Sequence, residues 1–148
     1  VGAGAPCPDV RWKSQWIDLG GGRFESRSQV HTPHGTLSSR SRYDRHEPYW
    51  VVERSIKDFA RDWPAYRACT LGDIAATDWS GVNRALAAVG DDFLLEVYAV
   101  GPFFDYLATG REGGLEQGVF DLLEHEAFFA VLHEEYLDYA RRQRGRVV

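Results

Sequence analysis

Apolar and polar residues alternate along the first third of the chain, and beyond about residue 56 apolar residues recur every third or fourth position. In residues 10–17, Val10, Trp12 and Trp16 share one alternating face that Ser14 interrupts, the pattern of a strand. Asp18, Leu19 and the run Gly20-Gly21-Gly22 predict a hairpin turn, since glycine reaches the positive φ such turns require. Residues 23–32 read as a second strand marked by Phe24 and Val30. Thr32-Pro33-His34-Gly35 follows as a second turn, with proline presetting one φ and glycine freeing a later one. A Ser/Arg-rich stretch, 36–43, and residues 49–56 complete an expected antiparallel meander with one wet face.

The remainder reads as helical with one exception. Residues 58–63 suit a short helix that stops ahead of Pro64, with a restart that carries Pro64 in its first turn. Thr77 or Asp78 can cap a helix to about Val89, closed by Gly90. Residues 114–125 place Leu115, Val119, Leu122 and Leu123 on one helical face. Residues 126–144 do the same for Phe129, Leu132, Tyr136 and Tyr139, and Arg141, Arg142 and Arg144 finish that helix where its dipole favours cations. The exception is residues 92–100, a nearly continuous apolar run ended by Gly101-Pro102, as in a strand buried on both faces. Val147-Val148 look like the opening of another such strand.

With 148 residues, 44% hydrophobic and 26% charged, the chain is an ordinary globular one. Its net charge of -5 argues against nucleic acid and anionic membranes as partners, and no apolar run reaches the length of a membrane helix. Cys7 and Cys69 form no C-x-x-C and no disulfide framework, which points to free thiols and a cytoplasmic location. The chain has no methionine, position 1 included.

From Val100-Gly101-Pro102-Phe103-Phe104 to Tyr139 the chain resembles the uroporphyrinogen decarboxylase superfamily, which includes the corrinoid-linked methyltransferases. The matching features are an apolar strand ending in Gly-Pro-aromatic, the glycine-rich break Thr109-Gly110-Arg111-Glu112-Gly113-Gly114, and the Leu-rich pair of helices around Gly118 to Phe129. Thr32-Pro33-His34-Gly35-Thr36-Leu37 and Ile56-Lys57-Asp58 look like a branch in which a β-rich insert precedes the "IKD" helix. The similarity spans residues 10–143, most closely 93–140.

The resemblance implies an α/β fold, a (β/α)8 TIM-type barrel of about 250 residues. The chain would then be one incomplete domain: a β-meander insert at 10–56, then helical segments with one barrel strand at 93–100 and its following helices. Barrel active sites lie at the C-terminal strand ends, so the implied substrate-binding residues are Tyr98, Phe103, Asp105 and Tyr106. A pocket tyrosine of the decarboxylases falls in register on Ala108, two residues after Tyr106. Catalytic residues are expected outside residues 1–148. No cofactor is evident in this chain; zinc or a corrinoid is implied only if the rest is of the methyltransferase type.

Other clusters carry chemistry in principle. His31, His34 and His46 with Cys7 lack the spacing of a zinc site, and solvated turn histidines are the simpler reading. Arg27, Arg40, Arg42 and Arg45 can form an anion-binding face, or pair with Asp44, Glu47 and Glu53. Trp12, Trp16, Trp50, Trp63 and Trp79 are expected to pack the meander against the helices. The leading expectation is a decarboxylase or methyltransferase acting on a small-molecule substrate. The alternatives are a self-contained α+β small-ligand-binding module and a catalytically silent superfamily member.

Overall fold

A computed structural model describes residues 6–91 and 106–144. Four strands, β1 (Arg11–Gly20), β2 (Arg23–Thr32), β3 (Gly35–Asp44) and β4 (Trp50–Glu53), form an antiparallel sheet in the order β1-β2-β3-β4. Each pairs with its sequence neighbour, so every turn is short. Gly20, Gly21 and Gly22 all take positive φ at the first turn, where a side chain would be strained. The register shifts between Asp18 and Gly20 and between Arg40 and Ser41.

Helix α1 (Phe59–Thr70) lies against β2 and β3. The Asp58 side chain accepts from the Arg61 N–H at 2.8 Å, and Asp62 reaches back to the N–H groups of Lys57 and Asp58 at 2.8 and 2.9 Å. This reciprocal cap satisfies the donors a helix start leaves over. Contrary to the expected break, α1 runs through Pro64. Burial of Ala65 between Val30 and Leu37, joined by Val10, Tyr66 and Cys69, holds the helix across the proline. A short turn at Ile74–Ala76 and α2 (Ser80–Val89) follow; Asp78 accepts from the Ser80 N–H at 2.8 Å, and Gly90 closes the helix.

A π-helical turn (Tyr106–Gly110) precedes α3 (Gly114–Glu124) and α4 (Glu126–Arg144). Phe129 and Leu132 of α4 pack on Ile56, which is fully buried, and Phe59, Trp63, Tyr66 and Leu122 surround them. Tyr66 touches both cores and joins sheet to helices. The expected apolar face of α4 is the buried one, with Tyr139 also inside. That of α3 is not: Leu122 packs inward, whereas Leu115, Val119 and Leu123 are exposed, and Gly114, Gly118 and Asp121 are the buried residues.

Residues 110–112 lie parallel to residues 54–57. The Ile56 N–H donates to the Gly110 carbonyl at 2.8 Å and the Glu112 N–H to the Ile56 carbonyl at 2.7 Å. Arg111, nearly buried, clamps this seam. Its Nε and Nη2 donate to the Asp121 carboxylate at 2.6 and 3.2 Å, and its Nη1 donates to the Lys57 carbonyl at 2.7 Å. Gly110 sits so close to the Tyr66 ring that a Cβ there would fall 2.8 Å from the hydroxyl.

The architecture is α+β and corrects the partial (β/α)8 TIM-type barrel expected from the resemblance. A barrel needs parallel strands separated by helices, whereas these strands come first and pair by hairpins, with the helices following. Among the described residues the only parallel pairing is the isolated bridge between Ile56 and Arg111. The expected barrel strand at 93–100 lies outside the described residues. Among the described residues no helix is long and apolar enough to cross a membrane.

Candidate functional site

Alternation along the strands divides polar chemistry between the two sheet faces. One face receives Lys13, Gln15 and Ile17 from β1, Glu25, Arg27 and Gln29 from β2, and Ser38, Arg40 and Arg42 from β3. Across the strands these make rows: Lys13, Gln29 and Ser38; then Gln15, Arg27, Arg40 and Glu53; then Ile17, Glu25 and Arg42. The charged residues therefore occupy adjacent rows although they are far apart in sequence.

Glu25 is the hub of this face, with a side chain only 2% exposed. Arg27 donates through Nε to its Oε1 at 2.7 Å, Arg42 through Nε to its Oε2 at 3.1 Å, and the Arg40 Nη1 lies 3.8 Å from that same oxygen. The bonds from Arg27 and then Arg42 hold the Glu25 carboxyl below the ordinary carboxylate range, against a smaller opposing effect of burial. Glu53 repeats the theme. Lys57 pairs with it at 2.9 Å, Arg40 donates through Nε at 2.7 Å and the Ser38 hydroxyl at 3.1 Å. Its carboxyl is likewise lowered, first by the Lys57 bond, with burial opposing and Arg40 assisting. Both glutamates are anions at neutral pH.

Arg27 and Arg42 spend only Nε on Glu25. Their terminal nitrogens donate to no group among the described residues, and the side chains stay 54% and 44% exposed. Each guanidinium is thus fixed at its inner edge and open at its outer one. The face is the wall of an open cavity of about 950 Å³, lined by Lys13, Gln15, Arg27, Gln29, Ser38, Arg40 and Glu53 and by the intervening Trp12, Ser14, Ser28 and Ser39. Five cations, Lys13, Arg27, Arg40, Arg42 and Lys57, face two carboxylates on a chain whose net charge is -5. The local excess is opposite in sign to the whole.

Of the residues expected to line a substrate site, Tyr98, Phe103 and Asp105 lie outside the described residues, and Tyr106 opens the π-helical turn before α3. Arg27, Arg40 and Arg42 come together as an anion-binding face would require, but their partners are Glu25 and Glu53. Asp44 instead caps the His46 N–H at 3.0 Å, and Arg45 sits against Gly22 beyond the end of β3. His31 and His34 flank the β2–β3 turn, while His46 follows the far end of β3, about 30 Å away along a strand of ten residues. Sequence reasoning overlooked Glu25, although the period-two signal of Arg23, Glu25 and Arg27 was present. Compared with protein-family models, with curated proteins and with solved structures, the chain matches none of them.

Proposed function

We propose that this chain is a small-ligand-binding module whose sheet face holds an anion, a carboxylate or a phosphate, on the outer edges of Arg27 and Arg42. The observation that carries this reading is the half-engaged state of those two guanidinium groups. Arginine's planar fork grips a carboxylate or phosphate through two parallel N–H donors, and here each fork is braced by the buried Glu25 and left open outward. Bracing lowers the conformational cost of binding, because the side chains are ordered before the ligand arrives. Gln15, Gln29 and Lys13 supply further donors along the cavity. Among the described residues no disulfide joins Cys7 and Cys69, which suits a reducing compartment, and we assign the chain to the cytoplasm.

The same cavity would accept the carboxylates of a decarboxylase substrate, but decarboxylation also needs a proton donor. The two acids that brace these arginines, Glu53 in the cavity wall and Glu25 beneath it, are both held ionised. Binding without proton transfer is therefore favoured over catalysis at this face.

Isothermal titration with citrate and with inorganic phosphate tests the reading. A saturable isotherm is expected for at least one of the two, weakened about ten- to hundredfold in Arg27→Ala and in Arg42→Ala, as for loss of charge-assisted hydrogen bonds. Affinity should fall as salt rises. Equal binding by the parent and both variants, or no binding of either anion, would refute it.

A further inference from the structure

The opposite face of the sheet is built from different chemistry. Trp12, Trp16 and Asp18 alternate there with Ser14 on β1, and Phe24, Ser26 and Ser28 continue it on β2, with Ser39, Ser41 and Tyr43 on β3. Helix α1 covers only the end that holds Val30 and Leu37. Trp12 is 63% exposed, Trp16 60% and Tyr49 62%, so these rings do not pack the meander against the helices as the sequence suggested; Trp63 alone among the tryptophans packs on a buried core cluster. Trp16 and Tyr43 are 4.9 Å apart and Tyr43 stacks on Tyr49 at 5.5 Å, an ordered ladder of rings open to solvent. Between Trp12 and Trp16, about 13 Å apart along the strand, lies a belt of serine hydroxyls. Ser14 and Ser28 share a 3.1 Å bond, and Ser26, Ser39 and Ser41 make no side-chain bond among the described residues.

We infer that this face is a second binding platform, for a neutral linear carbohydrate lying along β1. The inference uses none of the charged groups of the anion site, although Trp12, Ser14, Ser28 and Ser39 also border that cavity. A sugar ring has apolar C–H faces and hydroxyl edges. Its C–H faces suit the negative faces of Trp12, Trp16 and Tyr49, and its edges suit serine groups that can both donate and accept. The alternatives fit less well. Nucleic acid also stacks on aromatic rings but needs cations beside them, and Asp18 is the sole charged strand residue on this face. An apolar protein surface, or a second copy of the sheet, would desolvate the serine belt without satisfying it, which is costly.

The test is a titration of the full chain with four neutral hexasaccharides, β-linked glucose, mannose, xylose and galactose, followed by tryptophan emission and by the indole N–H resonances. At least one glycan should bind saturably, shift the Trp12 and Trp16 indole signals and show no salt dependence. Trp16→Ala and Tyr49→Ala should each weaken binding on the order of tenfold, with far-UV circular dichroism unchanged; Trp16→Phe should retain most of it. If Trp16→Ala disturbs folding, the Tyr49→Ala and Trp16→Phe arms decide. No saturable binding of any of the four, binding indifferent to Trp16 and Tyr49, or concentration-dependent dimerisation that buries Trp12 and Trp16 would overturn the inference.

Discussion

Replacing Asp121 with alanine removes the partner of a nearly buried cation. Arg111 is 10% exposed at its side chain and Asp121 4%, and the two meet through a bidentate pair at 2.6 and 3.2 Å. Gln117 also donates to Asp121 at 3.2 Å. Without the carboxylate, Arg111 keeps its carbonyl acceptors at Ile56 and Lys57 but loses its bidentate counter-ion, while its charge stays largely out of water. Breaking a buried pair from one side costs about 3–5 kcal/mol, a large part of the 5–15 kcal/mol typical of a domain. The loss should be concentrated at the seam where residues 110–112 meet residues 54–57. Urea unfolding followed by circular dichroism and tryptophan emission would give the difference, with the slope unchanged if the transition stays two-state. The double variant Arg111→Met/Asp121→Leu should recover most of it, since an apolar pair leaves no charge uncompensated. A loss under about 1 kcal/mol for Asp121→Ala, or a double variant worse than the single, would refute the clamp.

Three further outcomes are expected. Ile56→Ala should cost about 2–5 kcal/mol by urea titration, because a fully buried side chain packed on Phe129 and Leu132 leaves a cavity; a cost below about 1 kcal/mol would contradict that packing. Burial alone would raise the Asp62 carboxyl, but bonds from Arg61 and from the backbone of Asp58 and Lys57 outweigh it and hold it at about 2 rather than 3.8. Its stabilisation, about 2 kcal/mol, is then fully present above pH 4 and lost as pH falls through 2, so Asp62→Asn should flatten the acid limb of a stability–pH curve; an unchanged limb would contradict the assignment. Gln143 is 1% exposed and neither amide atom has a partner among the described residues, so Gln143→Leu should raise stability by about 1 kcal/mol or more; destabilisation would show that the amide is satisfied.

Local signals made most elements legible. The glycine run and the Thr-Pro-His-Gly turn set the hairpins, and the three-and-four spacing of Phe129, Leu132, Tyr136 and Tyr139 set α4. The bounds of β2 and of α4 agree with the expected ones. Two failures have physical causes. The break ahead of Pro64 was expected because a residue before proline avoids the α region, whereas the paired caps of Asp58 and Asp62 and the burial of Ala65 carry α1 past it. The barrel came from the family resemblance, whose scaffold patterns say nothing about which strands pair; hairpin contacts bring β1 to β4 together locally. The anion face was half legible. Three of its arginines were grouped from sequence, but Glu25 was not, because its role depends on the cross-strand register that sets it between Arg27 and Arg42.

The arginine side chains themselves report most directly on the anion site. In a chain with ¹⁵N-labelled arginine, citrate is added while the guanidinium signals are followed. Saturable shifts confined to Arg27, Arg40 and Arg42 are expected, with one common affinity that is weakened about ten- to hundredfold in Arg27→Ala. Shifts spread evenly over all the arginines, or none at these three, would contradict the assignment of this face as the binding site.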